Sequence, residues 1–153
     1  MANPPHSPGR TLGERLAAGT VICAEGYLFE FERRGYLQAG TFVPEVVLRH
    51  PEIVVQSHLD FVHAGSDVVL AFTYYGHRAK LCLIGKEELV EPLNRTALEI
   101  ARSVAAETAG EAPLVAGSIC NTNLYDPDDE ASAAEARAMF DEQVGWAAEA
   151  GVD

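Results

Sequence analysis

Cysteine is scarce in this 153-residue chain, and Cys23, Cys82 and Cys120 are odd in number and widely separated. The pattern supplies neither a disulfide framework nor a Cys-x-x-Cys metal clip, so the thiols read as reduced and mostly buried. Basic residues are few as well: 11 Lys and Arg against 23 Asp and Glu give a net charge of -12. Asp126, Asp128, Asp129, Glu130, Glu135, Asp141 and Glu142 crowd toward the C-terminus. Such a surface repels phosphate backbones, and no nucleic-acid partner is expected. Long apolar runs are missing, since stretches such as Val68 to Phe72 fall far short of the roughly 20 residues of a membrane span. The start, Met1-Ala2-Asn3-Pro4-Pro5, has no basic-then-apolar signal pattern, so a cytoplasmic location without a membrane partner is expected. No Gly-x-Gly-x-x-Gly turn follows the first strand-like run, which weakens a dinucleotide-binding open sheet.

What is present has the make-up of one globular domain, 48% hydrophobic and 22% charged. Residues 1–19 carry Pro4, Pro5, Pro8, Gly9, Gly13 and Gly19 among few large apolar groups. They are expected to form a mobile arm with at most a helical turn near Leu12–Leu16. Three near-continuously apolar runs follow, Thr20–Ala24, Asp67–Thr73 and Pro113–Gly117. Runs without alternation are how strands buried on both faces of a parallel sheet read.

Helical patterns fill the gaps. Ile53, Val54, His58, Phe61 and Val62 follow Pro51; Leu93, Ala97, Ile100, Ala101 and Val104 follow Pro92. Proline suits a first helical position, where no N–H is needed. A third helix is predicted from about Ser132 to Ala150, with Ala136, Phe140, Val144, Ala147 and Ala148 on one stripe. Strand-helix alternation at nearly equal spacing means a parallel α/β sheet with crossover helices, either doubly wound or part of a (β/α)8 barrel. The phrases Ala64-Gly65-Ser66-Asp67 and Ala150-Gly151-Val152-Asp153 both read as a helix exit at glycine that launches a strand. On that reading the chain stops before its fourth strand.

In parallel α/β folds the reactive side chains gather at the carboxyl ends of strands. Three segments stand there: Glu25-Gly26-Tyr27, Phe72-Thr73-Tyr74-Tyr75-Gly76 and Ile119-Cys120-Asn121-Thr122-Asn123. Tyr74 and Tyr75 either cage a quaternary ammonium, if a bend at Gly76 turns both rings to one mouth, or pack beneath the neighbouring helices. Glu25 either binds a substrate ammonium or is a solvated turn residue, and Asn121, Thr122 and Asn123 are either ligand contacts or turn formers. No second carboxylate stands at the other two strand ends, which argues against a two-carboxylate hydrolase. His58 and His63 lie five apart, not the four that stack two ligands on one helical face.

The stretches Glu25 to Glu30, Glu32 to Tyr36, Pro44-Glu45, His63 to Val69, Ala71 to Tyr75 and Gly145 to Asp153 resemble, in order, the N-terminal half of the homocysteine S-methyltransferase family. The betaine-using members are the most similar. The resemblance implies residues 20–153 to be the first half of a (β/α)8 barrel, about three strand-helix units. In the complete family enzyme it implies zinc held by three cysteines, with homocysteine bound through its sulfur as a thiolate. That thiolate takes a methyl from betaine or a related methylated amine by in-line attack.

It further implies that Tyr74 and Tyr75 match an aromatic pair lining the donor site, and that Phe42 stands where a donor-contacting tryptophan is expected. Glu25 and Gly26 stand at the family's Asp-Gly-Gly turn, with Ala24 in place of the Asp. The family's zinc cysteines follow Gly-x-Asn and Gly-Gly motifs that are missing here. No zinc is therefore expected on this chain alone, which is read as an inactive fragment. A non-catalytic half-barrel that self-associates or pairs with a second half through open strand edges is the competing expectation.

Overall fold

The computed structural model describes residues 9–38, 40 and 44–153. Its helices are α1 (Leu12–Ala18), α2 (Tyr27–Arg33), α3 (Glu45–Arg49), α4 (Pro51–His63), α5 (Arg78–Leu81), α6 (Val90–Glu107) and α7 (Glu130–Ala150). Between α4 and α5 lies strand β1 (Val68–Leu70), and between α6 and α7 lies β2 (Leu114–Ala116). The two strands pair in parallel, Val68 opposite Leu114 and Leu70 opposite Ala116. The expected first strand at Thr20–Ala24 reduces to one parallel bridge, Cys23 to Val68. Ala24 N donates to the Val68 carbonyl there at 3.0 Å. Of this short run only Ala24 is buried; Ile22 is 54% exposed and Cys23 is exposed too.

The repeated phrase is a structural repeat. Gly65 and Gly151 end α4 and α7 with φ of 101° and 68°, the left-handed values that glycine adopts without steric cost. In each case the next residue reaches back: Ser66 N to the Phe61 carbonyl at 3.0 Å, Val152 N to the Ala147 carbonyl at 3.2 Å. Each closing aspartate then clamps the neighbouring backbone twice. Asp67 N donates to the Ile22 carbonyl at 2.8 Å, and its carboxylate accepts from Ile22 N at 2.8 Å. Asp153 N donates to the Val115 carbonyl at 3.0 Å, and its carboxylate accepts from Val115 N at 2.9 Å.

The core forms where α2, α4 and α6 cover the sheet. Phe31, Val47, Val54, Val69, Ala71, Leu81 and Ala97 are fully enclosed. Tyr27 sets edge-on against Phe61 at 4.9 Å, and Phe31 against Phe72 at 5.0 Å, arrangements worth about 0.5–1.5 kcal/mol each beyond area burial. The predicted α6 stripe of Leu93, Ala97, Ile100, Ala101 and Val104 is buried throughout. Pro51 opens α4 as expected, whereas Pro92 is the third residue of α6; an N–H in that first turn is spare as well.

Two expectations are corrected. Of the predicted α7 stripe Ala136 is buried and Ala147 packs on the core, but Phe140 is half-buried, Ala148 is exposed and Val144 is 54% exposed, while Ser132, Met139 and Gln143 are buried instead. The cause is a buried polar pair: Gln143 Nε2 donates to Asn94 Oδ1 of α6 at 2.9 Å, which fixes the rotation of the helix. The N-terminal segment, read as an arm with one turn, carries the seven-residue α1, closed by a capping box between Thr11 and Glu14. Arg15 is buried there, donating to the Ala112 carbonyl at 2.6 Å and the Arg10 carbonyl at 3.2 Å. Residues 1–8 lie outside the described residues.

Candidate substrate-binding site

Parallel pairing brings the ends of the Cys23 bridge, β1 and β2 to one side of the sheet, and the three predicted segments emerge there. Ala24 points into the core at 2% exposure. Glu25 is exposed, and Gly26, with φ 84°, stands at the N-cap of α2. Glu25 thus lies in the turn itself, the position from which its carboxylate can face a ligand even though Ala24 cannot. Phe42 lies outside the described residues.

Tyr74 and Tyr75 come together by a route different from the expected bend at Gly76. Gly76 N donates to the Thr73 carbonyl at 2.8 Å, closing a four-residue turn with the two tyrosines at its centre. Tyr75 takes φ 62°, a left-handed conformation ordinarily left to glycine at the third position of such a turn. That reversal turns neighbouring side chains to the same side, and the rings stack at 4.2 Å with 26° between their planes. The phenol of Tyr74 is held above its usual range, first by its side-chain hydrogen bond with Tyr75 and then by burial. Gly76 itself is required by crowding: a Cβ there would stand 3.0 Å from the Thr73 carbonyl oxygen and 3.2 Å from Asn94 Nδ2.

The third segment supports the pair from beneath. Thr73 Oγ1 donates to the Ser118 carbonyl, and Tyr75 N donates to Cys120 Sγ at 3.4 Å. Burial raises the Cys120 thiol pKa, and its sulfur serves here as the acceptor of the Tyr75 N–H. Asn121 Nδ2 donates to Asn123 Oδ1 at 3.0 Å, and Thr122 Oγ1 accepts from Leu124 N at 3.3 Å. These are turn bonds, although the same residues line one wall of an open groove of about 690 Å³ that continues along α7 to Phe140 and Asp141.

Sequence reading missed three residues at this end. Asn94 ties α6 to the tyrosine turn by donating to the Gly76 carbonyl at 2.6 Å. His77 is buried with neither ring nitrogen hydrogen-bonded. Its pKa is lowered by burial and then by Lys80, with the Asn121 backbone acting the other way. Lys80 Nζ stands 4.3 Å from the centre of the Tyr75 ring. No spacing rule links Lys80 to Tyr75, since the helix that carries Lys80 begins only at Arg78.

The profile of the homocysteine S-methyltransferase family matches residues 19–153. The chain belongs to that family. An S-methylmethionine–homocysteine S-methyltransferase of Pongo abelii is 40% identical over 125 residues, covering 80% of this chain and 32% of its own length. The betaine–homocysteine S-methyltransferase 1 of Rattus norvegicus is 40% identical over 121 residues, covering 76% and 29%. The chain thus spans about a third of the length of these relatives. Among solved structures, the homocysteine methyltransferase MmuM from Escherichia coli in its oxidized form superposes with a TM-score of 0.72 at 24% identity. The match covers 87% of this chain and 50% of that one. The metallated form gives 0.73 at 23%; at such identity the likeness is one of fold.

Within the family frame the thiols do not fit a metal. Cys23 and Cys82 are exposed and Cys120 is half-buried, all three free, which corrects the expectation that they are mostly buried. Among the described residues, no three His, Cys, Asp or Glu side chains converge as a metal site needs. Nor is any helix among them long and apolar enough to cross a membrane.

Proposed function

We propose that this chain is the substrate-facing first half of a (β/α)8 methyltransferase barrel, about three strand-helix units over residues 20–153, acting in the cytoplasm. Its methyl donor is cationic, and its acceptor is homocysteine, giving methionine. The observation that carries the reading is the Tyr74–Tyr75 stack, built at the same sheet end as the Glu25-Gly26 turn, in a chain whose family transfers methyl groups to homocysteine. The donors named for its relatives, betaine and S-methylmethionine, share a methyl on a positively charged centre. Attack by the homocysteine sulfur forms the S–CH3 bond and breaks the bond to nitrogen or sulfonium. The electron pair stays with the departing neutral amine or thioether.

Ring faces stabilise a cationic donor by about 0.5–2 kcal/mol per contact, and a held donor lowers the barrier by positioning. Glu25, in its turn, offers a carboxylate to the homocysteine ammonium. Phe42 would add a third ring. The three cysteines provide no zinc set, so the group that the complete enzyme uses to keep the sulfur deprotonated must come from elsewhere, and this chain alone does not complete the reaction. Titration of the chain with betaine, followed by NMR of the tyrosine rings, tests the site. Shifts at Tyr74 and Tyr75 that Tyr75→Leu abolishes are expected; no shift up to high millimolar betaine would refute it.

A second reading, a half-barrel that assembles through its edges, is favoured by where apolar side chains are left uncovered. Ile22 next to the first bridge, Ile119 beyond the end of β2 and Val144 on α7 are each a little over half exposed. A groove of about 360 Å³ runs there between the segment 117–119, just after β2, and α7, and unpaired edges template association. Size-exclusion chromatography with light scattering is expected to give dimers or larger species, and a monodisperse monomer at high micromolar concentration counts against this reading.

A further inference from the structure

The tyrosine pair already carries a cation. Carboxylates outnumber basic side chains 23 to 11 in this chain. Yet the Lys80 ammonium pairs with no carboxylate among the described residues and stands over the Tyr75 ring instead.

Both partners are held. Tyr75 is fixed by its N–H bond to Cys120 Sγ, by its left-handed φ and by its stack on Tyr74. Lys80 rises from α5, whose Lys80 and Leu81 N–H groups both donate to the His77 carbonyl at 3.1 Å. Leu81 and His77 on either side of it are buried to 0% and 1% exposure. The stem of Lys80 therefore starts from a rigid point beside a rigid ring.

We infer that Lys80 is a specificity-determining residue, a tethered ammonium that a cationic methyl donor must displace from Tyr75. The inference rests on the reading of Tyr74 and Tyr75 as the donor site. Its consequence is selective. A plain quaternary ammonium gains only the ring that Lys80 gives up, so the exchange is nearly balanced. A zwitterionic donor gains the ring and also offers its own carboxylate to the displaced lysine, a pairing of opposite charges at close range. The chain thus discriminates against simple alkylammonium ions in favour of methyl donors that carry a carboxylate.

The test compares tetramethylammonium and betaine as probes in NMR titrations of the wild-type chain, Lys80→Met and Tyr75→Leu. Far-UV circular dichroism checks the fold, and Lys80→Gln is the substitute if the methionine variant fails that check. Removing the tethered ammonium is expected to tighten tetramethylammonium by about 2- to 30-fold, the range of one cation–π contact. It should also shrink the preference for betaine, with Tyr75→Leu abolishing binding of both. Unchanged or weaker tetramethylammonium binding in the lysine variants, with Tyr75→Leu still abolishing it, would overturn the role of Lys80 while leaving the donor site standing. Binding that Tyr75→Leu does not affect, or no binding by any form, would overturn the donor site and this inference together.

Discussion

At the residue scale, several features of this chain depend on one polar side chain enclosed in the core. His58 is fully buried on α4, and its Nδ1 meets the Tyr27 hydroxyl at 3.0 Å while Nε2 has no partner. Burial pushes its pKa from 6.5 down to about 4. The folded protein then holds the ring neutral where the unfolded chain takes up a proton. Stability is therefore complete above about pH 6.5 and falls as the pH drops toward about 4, by on the order of 3 kcal/mol from this group. Urea denaturation at pH 7 and pH 4.5 measures the loss. His58→Asn, which keeps a polar atom near Tyr27 but does not titrate, is expected to be less stable at pH 7 yet to show a smaller loss on acidification. An equal loss in both proteins would show that His58 does not drive it, and would assign it to buried His77 together with ion-paired carboxylates such as Glu30 and Asp60, whose lowered pKa also makes stability fall on acidification.

At the element scale, α1 is anchored more firmly than its composition suggests. The Arg15 guanidinium donates to the Ala112 and Arg10 carbonyls from a nearly enclosed position, and its pairing with half-exposed Glu111 at 3.5 Å adds little. Arg15→Met keeps the stem but leaves those carbonyls without a donor, and should cost about 1–3 kcal/mol. Thr11→Ala, which removes the capping box, should cost about 1 kcal/mol. Hydrogen exchange over residues 12–18 should rise in both variants; unchanged protection would mean that α1 is held by other contacts.

The same scale shows what the sequence made legible. Apolar periodicity located α4, α6 and α7, and the two glycine exits fell where the helices end, because those signals are local. The rotation of α7 was not legible, since it is set by Gln143 meeting Asn94, two residues 49 apart. Nor was the fate of Thr20–Ala24, whose apolar run forms a single bridge with one open side. Strand-end reasoning named Glu25, Tyr74 and Tyr75, and the fold brings all three to one end of the sheet. The left-handed Tyr75 and the Lys80 contact depend on tertiary packing that no spacing rule contains.

At the scale of the whole molecule, the chain brings together a tyrosine pair, an acidic turn and a buried polar bridge from Asn94 at one end of a parallel sheet. Its thiols are dispersed over separate elements. The homocysteine S-methyltransferase match runs over 19–153, so the division concerns which parts of the catalytic machinery this stretch holds. On the proposed reading this stretch holds substrate contacts, and the metal set belongs to another part of the barrel. The most direct test is metal analysis of the purified chain after exposure to zinc and desalting, alongside a methyl-transfer assay with homocysteine and betaine. The account predicts far less than one zinc per chain and no methionine formed. One tightly held zinc per chain with methionine production would contradict it.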